Sequence, residues 1–221
     1  MSAFLRVRSL GSVPYAEALK LQEEAVAARR AGESVDTLFL LEHPPVVTLG
    51  RGSHPEHLLR SRAELARSGV ELCEARRGGD VTYHAPGQLV GYPVLDLAAR
   101  GECDLHAYLR RLEAVLCDAL AALGVDATTV PGRTGVFVAN GDGSASARKI
   151  ASIGVGVKGW VTYHGFALNV ALDLAGFGNI VPCGLHDVEM TSIAVELGSS
   201  DPQLGPRARA AVTAAFRARF A

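Results

Sequence analysis

Three short stretches of this 221-residue chain carry side chains suited to ligand contact, proton transfer or nucleophilic attack. The first is Arg77-Gly78-Gly79-Asp80-Val81-Thr82-Tyr83-His84-Ala85-Pro86-Gly87-Gln88. Two adjacent glycines let backbone come close to a ligand, and Thr, Tyr, His and Gln place donors around it. A β-turn with an internally satisfied polar network explains the same residues equally well, and Arg77 reads either as an anion holder or as a solvated charge. The second stretch is Arg148-Lys149-Ile150-Ala151-Ser152-Ile153-Gly154. A lysine that opens an apolar, small-residue strand is expected to be partly desolvated, the condition under which an amine takes part in proton transfer. A snorkelling edge lysine is the plainer alternative. The third is Asn179-Ile180-Val181-Pro182-Cys183-Gly184, where Cys183 lies between Pro and Gly in an irregular, open segment. A free thiol is only a few per cent ionised near neutral pH, so a nucleophilic cysteine needs a basic or cationic neighbour. His186 is close in sequence, and Lys149 is a candidate in space. The other thiols read as unreactive: Cys73 in a strand and Cys117 in a long helix, both buried, and Cys103 at a Gly-Glu-Cys-Asp bend whose carboxylates oppose a thiolate.

These residues need elements to hold them. Phe4 to Arg8 reads as an edge strand, followed by a helix from near Pro14 to about Arg30 that stops at Gly32. The apolar runs 36–43 and 46–50 are two strands broken irregularly by Pro44-Pro45. A short helix at 62–68 and a strand at 70–75 come next, and Pro86-Gly87 turns the chain into LVGYPVLDL. Residues 104–123 form the clearest helix, with Leu105, Leu109, Leu112, Leu116 and Leu120 on one face, Asp104 as its cap and Gly124 as its stop. Strands are predicted at 134–139, 149–157 and 160–171, a surface loop at 141–147 and a helix at 206–220. Strands mixed with a few helices predict an α+β fold, a mixed β-sheet with flanking helices in one domain over 1–221, rather than a regular βαβ series.

Composition narrows the function. Apolar residues make up 48% and the formal net charge is −1, enough to build one sizeable core and too little positive charge for a dedicated nucleic-acid binder. No apolar run approaches the roughly 20 residues that span a bilayer, and the N-terminus lacks secretory signal features. Four cysteines spaced 30, 14 and 66 apart, with no C-x-x-C, give neither a disulfide framework nor zinc spacing. The expectation is a reduced, cytoplasmic protein that meets no membrane and holds no metal. Lys20, Lys149 and Lys158 are the only lysines beside 19 arginines, and only lysine gives up its proton in practice. Gly154-Val-Gly-Val-Lys-Gly159 matches G-x-G-x-x-G, but a strand-like run follows it where a dinucleotide site needs a helix, so that reading fails. Val-Thr-Tyr-His occurs at 81–84 and again at 161–164 with different flanks, which reads as convergent strand chemistry.

Taken in order, HPPVVTLGRG (43–52), RGGDVTYHAPGQLVGYPVLDL (77–97), RKIASIG (148–154), TYHGFALNV (162–170) and PCG (182–184) closely resemble the lipoyl(octanoyl) transferase family, over about residues 36–193. The resemblance implies a catalytic domain with the fold of biotin and lipoate protein ligases. It implies transfer of an octanoyl group from octanoyl-acyl carrier protein to a lysine of lipoyl domains in 2-oxoacid dehydrogenases and in the glycine cleavage H protein. By motif position, Cys183 is the acyl-thioester nucleophile and Lys149 the group that favours its thiolate. Arg77, Gly78, Gly79, Asp80, Val81, Thr82, Tyr83 and His84, then Ser152, Ile153 and Gly154, then Gly165, Phe166 and Ala167, line the substrate pocket. The loop before Arg148 is longer than the family's usual one. Cofactors and metal ions play no part in the expected chemistry. Phe166, Ala167 and Val155 are candidates to line a dry acyl channel, and His84 and His164 either orient substrate or complete strand-end hydrogen bonds. Arg51, Arg76 and Arg148 are candidates for a basic patch that receives the acidic carrier protein. Two rival functions stand beside this one: an ATP-dependent lipoate or biotin ligase on the same fold, which needs no thiol, and a non-catalytic acyl-binding protein.

Overall fold

The structure, a computed structural model, describes residues 5–139, 147–184 and 188–221, with Cys183 described by its backbone. His186 and most of the expected surface loop, 141–146, lie outside the described residues. The strands are β1 (Leu5–Ser12), β2 (Asp36–Glu42), β3 (Val46–Leu49), β4 (Glu71–Glu74), β5 (Val81–His84), β6 (Gln88–Val94), β7 (Val136–Ala139), β8 (Ala147–Lys158) and β9 (Val161–Asn169). The helices are α1 (Tyr15–Arg30), α2 (Arg62–Arg67), α3 (Leu105–Ala122), α4 (Ile193–Leu197) and α5 (Leu204–Phe220). A six-stranded sheet runs β1-β2-β6-β9-β8-β7 and a three-stranded sheet runs β4-β3-β5. The β1/β2 and β3/β4 pairs are parallel and the rest antiparallel, the mixed pairing expected of an α+β fold.

The strands fall into two sheets where one mixed sheet was expected. Pro44 and Pro45 carry no N–H and cannot extend a ladder, so β2 ends in the large sheet and β3 starts in the small one. The chain crosses back at Ala85-Pro86-Gly87, between β5 and β6. Gly87 takes φ +86°, and a Cβ there would lie 2.7 Å from the Leu172 nitrogen. Its N–H donates to the Glu42 carboxylate at 2.8 Å, so the two crossings are tied to each other.

One face of the large sheet packs on α3 and α5, through Leu38, Leu40, Leu168, Leu112, Leu116, Val212 and Phe216. The opposite face packs on α1, through Phe39, Leu41, Val90, Tyr92, Ala18 and Val26. Burial on both faces explains why β2 reads as an unbroken apolar run. A separate cluster beside the small sheet joins Val47, Leu65, Val81, Tyr83, Phe177 and Ile180. In α3, Asp104 caps as expected, accepting the Ala107 N–H at 3.0 Å, and Gly124 follows the helix at φ +86°. The buried stripe, however, is built on Tyr108, Leu112, Val115, Leu116, Ala119 and Leu120. Leu105 lies about a turn before that stripe and is 37% exposed, outside the core where it was expected. The β8–β9 hairpin turns through Gly159 and Trp160, at φ +58° and +62°, the left-handed pair that matches strand twist. The helix α4 and the 3-10 turns Pro55–His57, Leu174–Asn179 and Pro182–Gly184 carry too little periodicity to have been foreseen.

Gly91 and Gly165 bring β6 and β9 together. A Cβ on Gly91 would fall on the ring of Phe166. Gly91→Ala is expected to lower the unfolding free energy by about 1–3 kcal/mol through overpacking, as read by urea denaturation. Gly205→Ala, at the open start of α5 with nothing within 4 Å, should leave it unchanged or slightly raised.

Candidate active site

A cavity of about 260 Å³ lies between the small sheet and the α1 face of the large sheet. Arg77, Gly79, Asp80, Val81, Thr82 and His84 line it from the small-sheet side; Val90, Tyr92, Ser152, Ile153, Gly154, His164, Gly165, Phe166 and Ala167 line it from the large sheet. Tyr15, Lys149 and the turn Gly132–Thr134 complete the wall. The structure thus brings together most of the residues that the motifs singled out, from segments up to about ninety residues apart.

Three expected lining residues lie elsewhere. Tyr83 alternates to the far side of β5 and meets Phe177 edge-on, with centroids 5.6 Å apart. Gly78 is a bracket: its N–H donates to the Val155 carbonyl at 2.8 Å, pinning the turn to β8. A Cβ on Gly154 would approach the Gly78 oxygen to 2.9 Å, so glycine is needed for that contact. Val155 itself is buried in the core beneath α3 and α5 and does not line the cavity.

Arg77 is neither a solvated charge nor an open anion holder. It is buried, and its guanidinium donates to the Thr48 carbonyl at 2.8 Å, the Thr48 hydroxyl at 2.9 Å and the Asp80 carbonyl at 2.6 Å. Its planar fork therefore joins β3 to the 77–80 turn.

Uncharged polar rings make up one wall. The His43 Nδ1–H donates to the Val13 carbonyl at 2.7 Å, which leaves Nε2 to accept the Tyr92 hydroxyl, also at 2.7 Å. His84 Nδ1 donates to Gln88 Oε1 at 2.7 Å. The Gln88 amide donates to Asn169 at 2.9 Å, and Asn169 donates to the Thr191 carbonyl at 2.9 Å. Burial, the neighbouring His43 and the Arg77 charge push the His84 pKa down to about 3. Burial, Arg77 and Arg51 do the same to His164, also to about 3. Burial pushes Tyr15 up to about 12 and Tyr92 further. Every one of these groups is neutral near pH 7. His164 takes φ +54°, and the Gln22 side chain of α1 holds that backbone by accepting its N–H at 2.7 Å. Tyr15 Oη and His164 Nε2 are buried with no hydrogen-bond partner among the described residues, sites where bound substrate or water supplies one.

Lys149 is 2% exposed. Its backbone pairs with Phe137 of β7 and also with residues 189–191, donating to the Glu189 carbonyl at 2.7 Å and accepting from Thr191 at 3.0 Å. The ammonium lies 5.4 Å from the Phe137 ring centroid, and a Cβ on Gly135 would sit 2.8 Å from Lys149 Cε. The buried Glu113 of α3 accepts the Gly135 N–H at 2.9 Å and so fixes the turn that covers the lysine. The 3-10 turn Pro182–Gly184 that carries Cys183 packs on β5: a Cβ on Gly184 would lie 2.7 Å from Asp80 Oδ2, an atom of a cavity-lining residue. The three other cysteines do not line the cavity. Burial and the Glu71 carboxylate push the Cys73 thiol up to about 11, and burial with Asp118 and Glu113 raises Cys117. Both are partly rather than fully buried.

Arg148 pairs with Glu196 at 3.0 Å and is not part of an open basic patch, while Arg76 borders a separate groove with Arg30, Lys158 and Tyr163. Tyr15 and the 132–134 turn stand outside the motif stretches; His43 and Tyr92 stand inside them at positions with no expected pocket role, and folding brings Tyr92 to the cavity wall with His43 bonded to it. Among the described residues, no cluster of His, Cys, Asp and Glu is placed to hold a metal ion, and no helix is long and apolar enough to cross a membrane.

Residues 14–217 match the family model described as "Lipoyl protein ligase A/B catalytic domain". The chain is 50% identical over 198 residues to the octanoyltransferase of Geobacter metallireducens, covering 90% of this chain and 86% of that one. It is 51% identical over 189 residues to the octanoyltransferase of Syntrophotalea carbinolica, covering 86% and 82%. Among solved structures, a bipartite lipoate protein ligase from Thermoplasma acidophilum superposes with a TM-score of 0.74 at 18% identity, covering 99% of this chain and 84% of that one, a likeness of fold.

The neutral imidazoles make stability depend on pH. Unfolded, each histidine titrates near 6.5; folded, His84 and His164 do so near 3. Between those values the unfolded chain binds more protons, so stability is fully present above pH 6.5 and falls as pH drops toward 3. Each imidazole contributes a slope approaching about 1.4 kcal/mol per pH unit in that window. His164→Asn, which tolerates the left-handed backbone, should flatten the slope by about one proton in urea titrations at pH 5 and 7.5.

Proposed function

We propose that this chain, which belongs to the lipoyl protein ligase A/B catalytic-domain family and is an octanoyltransferase of protein lipoylation, carries the octanoyl group as a thioester on Cys183 before passing it to a lysine of a lipoyl domain. The observation that carries this reading is a buried lysine, Lys149, on the wall of a largely apolar cavity whose other wall, Asp80, supports the turn bearing Cys183.

The donor is octanoyl-acyl carrier protein, and the acceptors are lipoyl domains of 2-oxoacid dehydrogenases and the glycine cleavage H protein. The Cys183 thiolate attacks the octanoyl thioester carbonyl, and the carrier's pantetheine sulfur leaves with a proton from Lys149. The acceptor lysine, as its neutral amine, then attacks the acyl-enzyme; Lys149 takes the proton that the amine sheds, and the Cys183 thiolate departs. Exchange of thioester for thioester is nearly balanced, and thioester to amide runs downhill. Val90, Ile153, Phe166 and Ala167 surround the acyl chain, beside rings that carry no charge near pH 7. The Gly78 N–H is committed to Val155 and does not serve as an oxyanion donor.

Incubation with octanoyl-acyl carrier protein, without nucleotide, is expected to add one octanoyl mass to the intact protein, and Cys183→Ala to abolish the adduct. Lys149→Arg keeps the positive charge but does not give up its proton in practice; it should keep the Cys183 thiolate while turnover onto a lipoyl domain falls by about 10²–10⁴. An adduct on Cys183→Ala at the wild-type level overturns the thioester assignment, and acylation of the lipoyl domain that requires ATP overturns the transferase reading in favour of a ligase.

A further inference from the structure

His57 belongs to none of the motifs discussed above, yet its segment holds the cysteine turn. Residues 57–59 run antiparallel to 179–181: the Leu59 N–H donates to the Asn179 carbonyl at 2.9 Å, and the Val181 N–H donates to the His57 carbonyl at 2.8 Å. Leu58 and Ile180 form the bridge between them. This clamp ends one residue before Pro182-Cys183-Gly184.

The His57 side chain reinforces the clamp. Its Nδ1 hydrogen-bonds Asp80 Oδ2, with the two side chains only 14% and 10% exposed. The carboxylate is itself held, since Oδ1 accepts the Val81 N–H at 2.7 Å and the His54 N–H at 3.3 Å. A carboxylate accepts and does not donate, so Nδ1 carries the hydrogen and the ring's orientation is set. The pair then lies directly under the residue after Cys183. A Cβ on Gly184 would come within 2.7 Å of Asp80 Oδ2 and 2.8 Å of His57 Cε1, and the backbone there takes φ +66°. Glycine at 184 lets the main chain rest on the imidazole–carboxylate pair.

We propose that His57, oriented by Asp80, is a positioning residue for Cys183: the pair sets the height and direction of the Pro182–Gly184 turn relative to the cavity wall. This rests on the reading of Cys183 as the acyl carrier. Misplacing a reacting atom by about 1 Å costs on the order of 100-fold in rate, so a support beneath the backbone of the turn governs acylation through geometry.

The test compares His57→Ala with His57→Asn, because the asparagine side-chain N–H sits where Nδ1–H was and still reaches Asp80. Single-turnover acylation by octanoyl-acyl carrier protein is followed by intact mass, with Cys183→Ala in parallel and thermal unfolding of each variant. His57→Ala is expected to slow acyl-enzyme formation by about 100-fold with the KM for the carrier protein within about twofold, and His57→Asn to recover most of the rate. Wild-type acylation by His57→Ala, beside an inactive Cys183→Ala, overturns this inference and leaves the thioester reading intact. Failure of His57→Asn to recover the rate, or a loss in His57→Ala that follows KM and the melting temperature together, also overturns it. An adduct on Cys183→Ala overturns both.

Discussion

Arg77 lies where the two sheets meet, its guanidinium donating to Thr48 on β3 and to the Gly78 and Asp80 carbonyls of its own turn. Glycines stand on either side of it: a Cβ on Gly50 would lie 2.6 Å from Nη1, and one on Gly154 would lie 3.1 Å from Cδ. A buried cation needs acceptors for its donors, and here the Thr48, Gly78 and Asp80 carbonyls and the Thr48 hydroxyl supply them to the two terminal nitrogens. The cavity depends on this contact in two ways. It aligns the 77–80 turn with β8 so that a space is left between the sheets, and its charge opposes protonation of His84 and His164.

That second effect keeps a cavity with so many polar side chains free of imidazolium charge, a setting compatible with an acyl chain. Tyr15, His84, Tyr92 and His164 supply apolar ring faces as well as polar atoms, and burial with the Arg77 charge keeps the imidazoles neutral. Most of the polar atoms are occupied within the protein, as in the run from His84 through Gln88 and Asn169 to the Thr191 carbonyl. That run ends in the segment that pairs with Lys149. The backbone around the lysine is therefore hydrogen-bonded on both sides, while the turn with Cys183 rests against His57 and Asp80.

The motif residues were legible because their chemistry is local. Gly79 reads as a turn glycine and takes φ +79°, and Lys149 opens an apolar strand and is buried. Less legible was the direction of each side chain. Tyr83 lies between Thr82 and His84, both on the cavity, but alternation sends it to Phe177. Arg77 reads in sequence as a surface charge or an anion site because most of its acceptors are backbone carbonyls, which carry no sequence signature. The two Val-Thr-Tyr-His segments fall in different sheets, and their histidines line the same cavity from opposite sides.

The amino-acid sequence alone determined the α+β character, the family, and which cysteine and lysine stand in its motifs, since periodicity, proline breaks and contiguous motifs are properties of neighbours along the chain. The tertiary structure decided that the strands divide between two sheets, that Tyr15 and Tyr92 line the cavity with His43 bonded to Tyr92, and that the Pro182–Gly184 turn rests against His57 and Asp80. Each of these is a contact between segments distant in sequence. Such contacts are set by how sheets cross and pack, and linear spacing does not encode them.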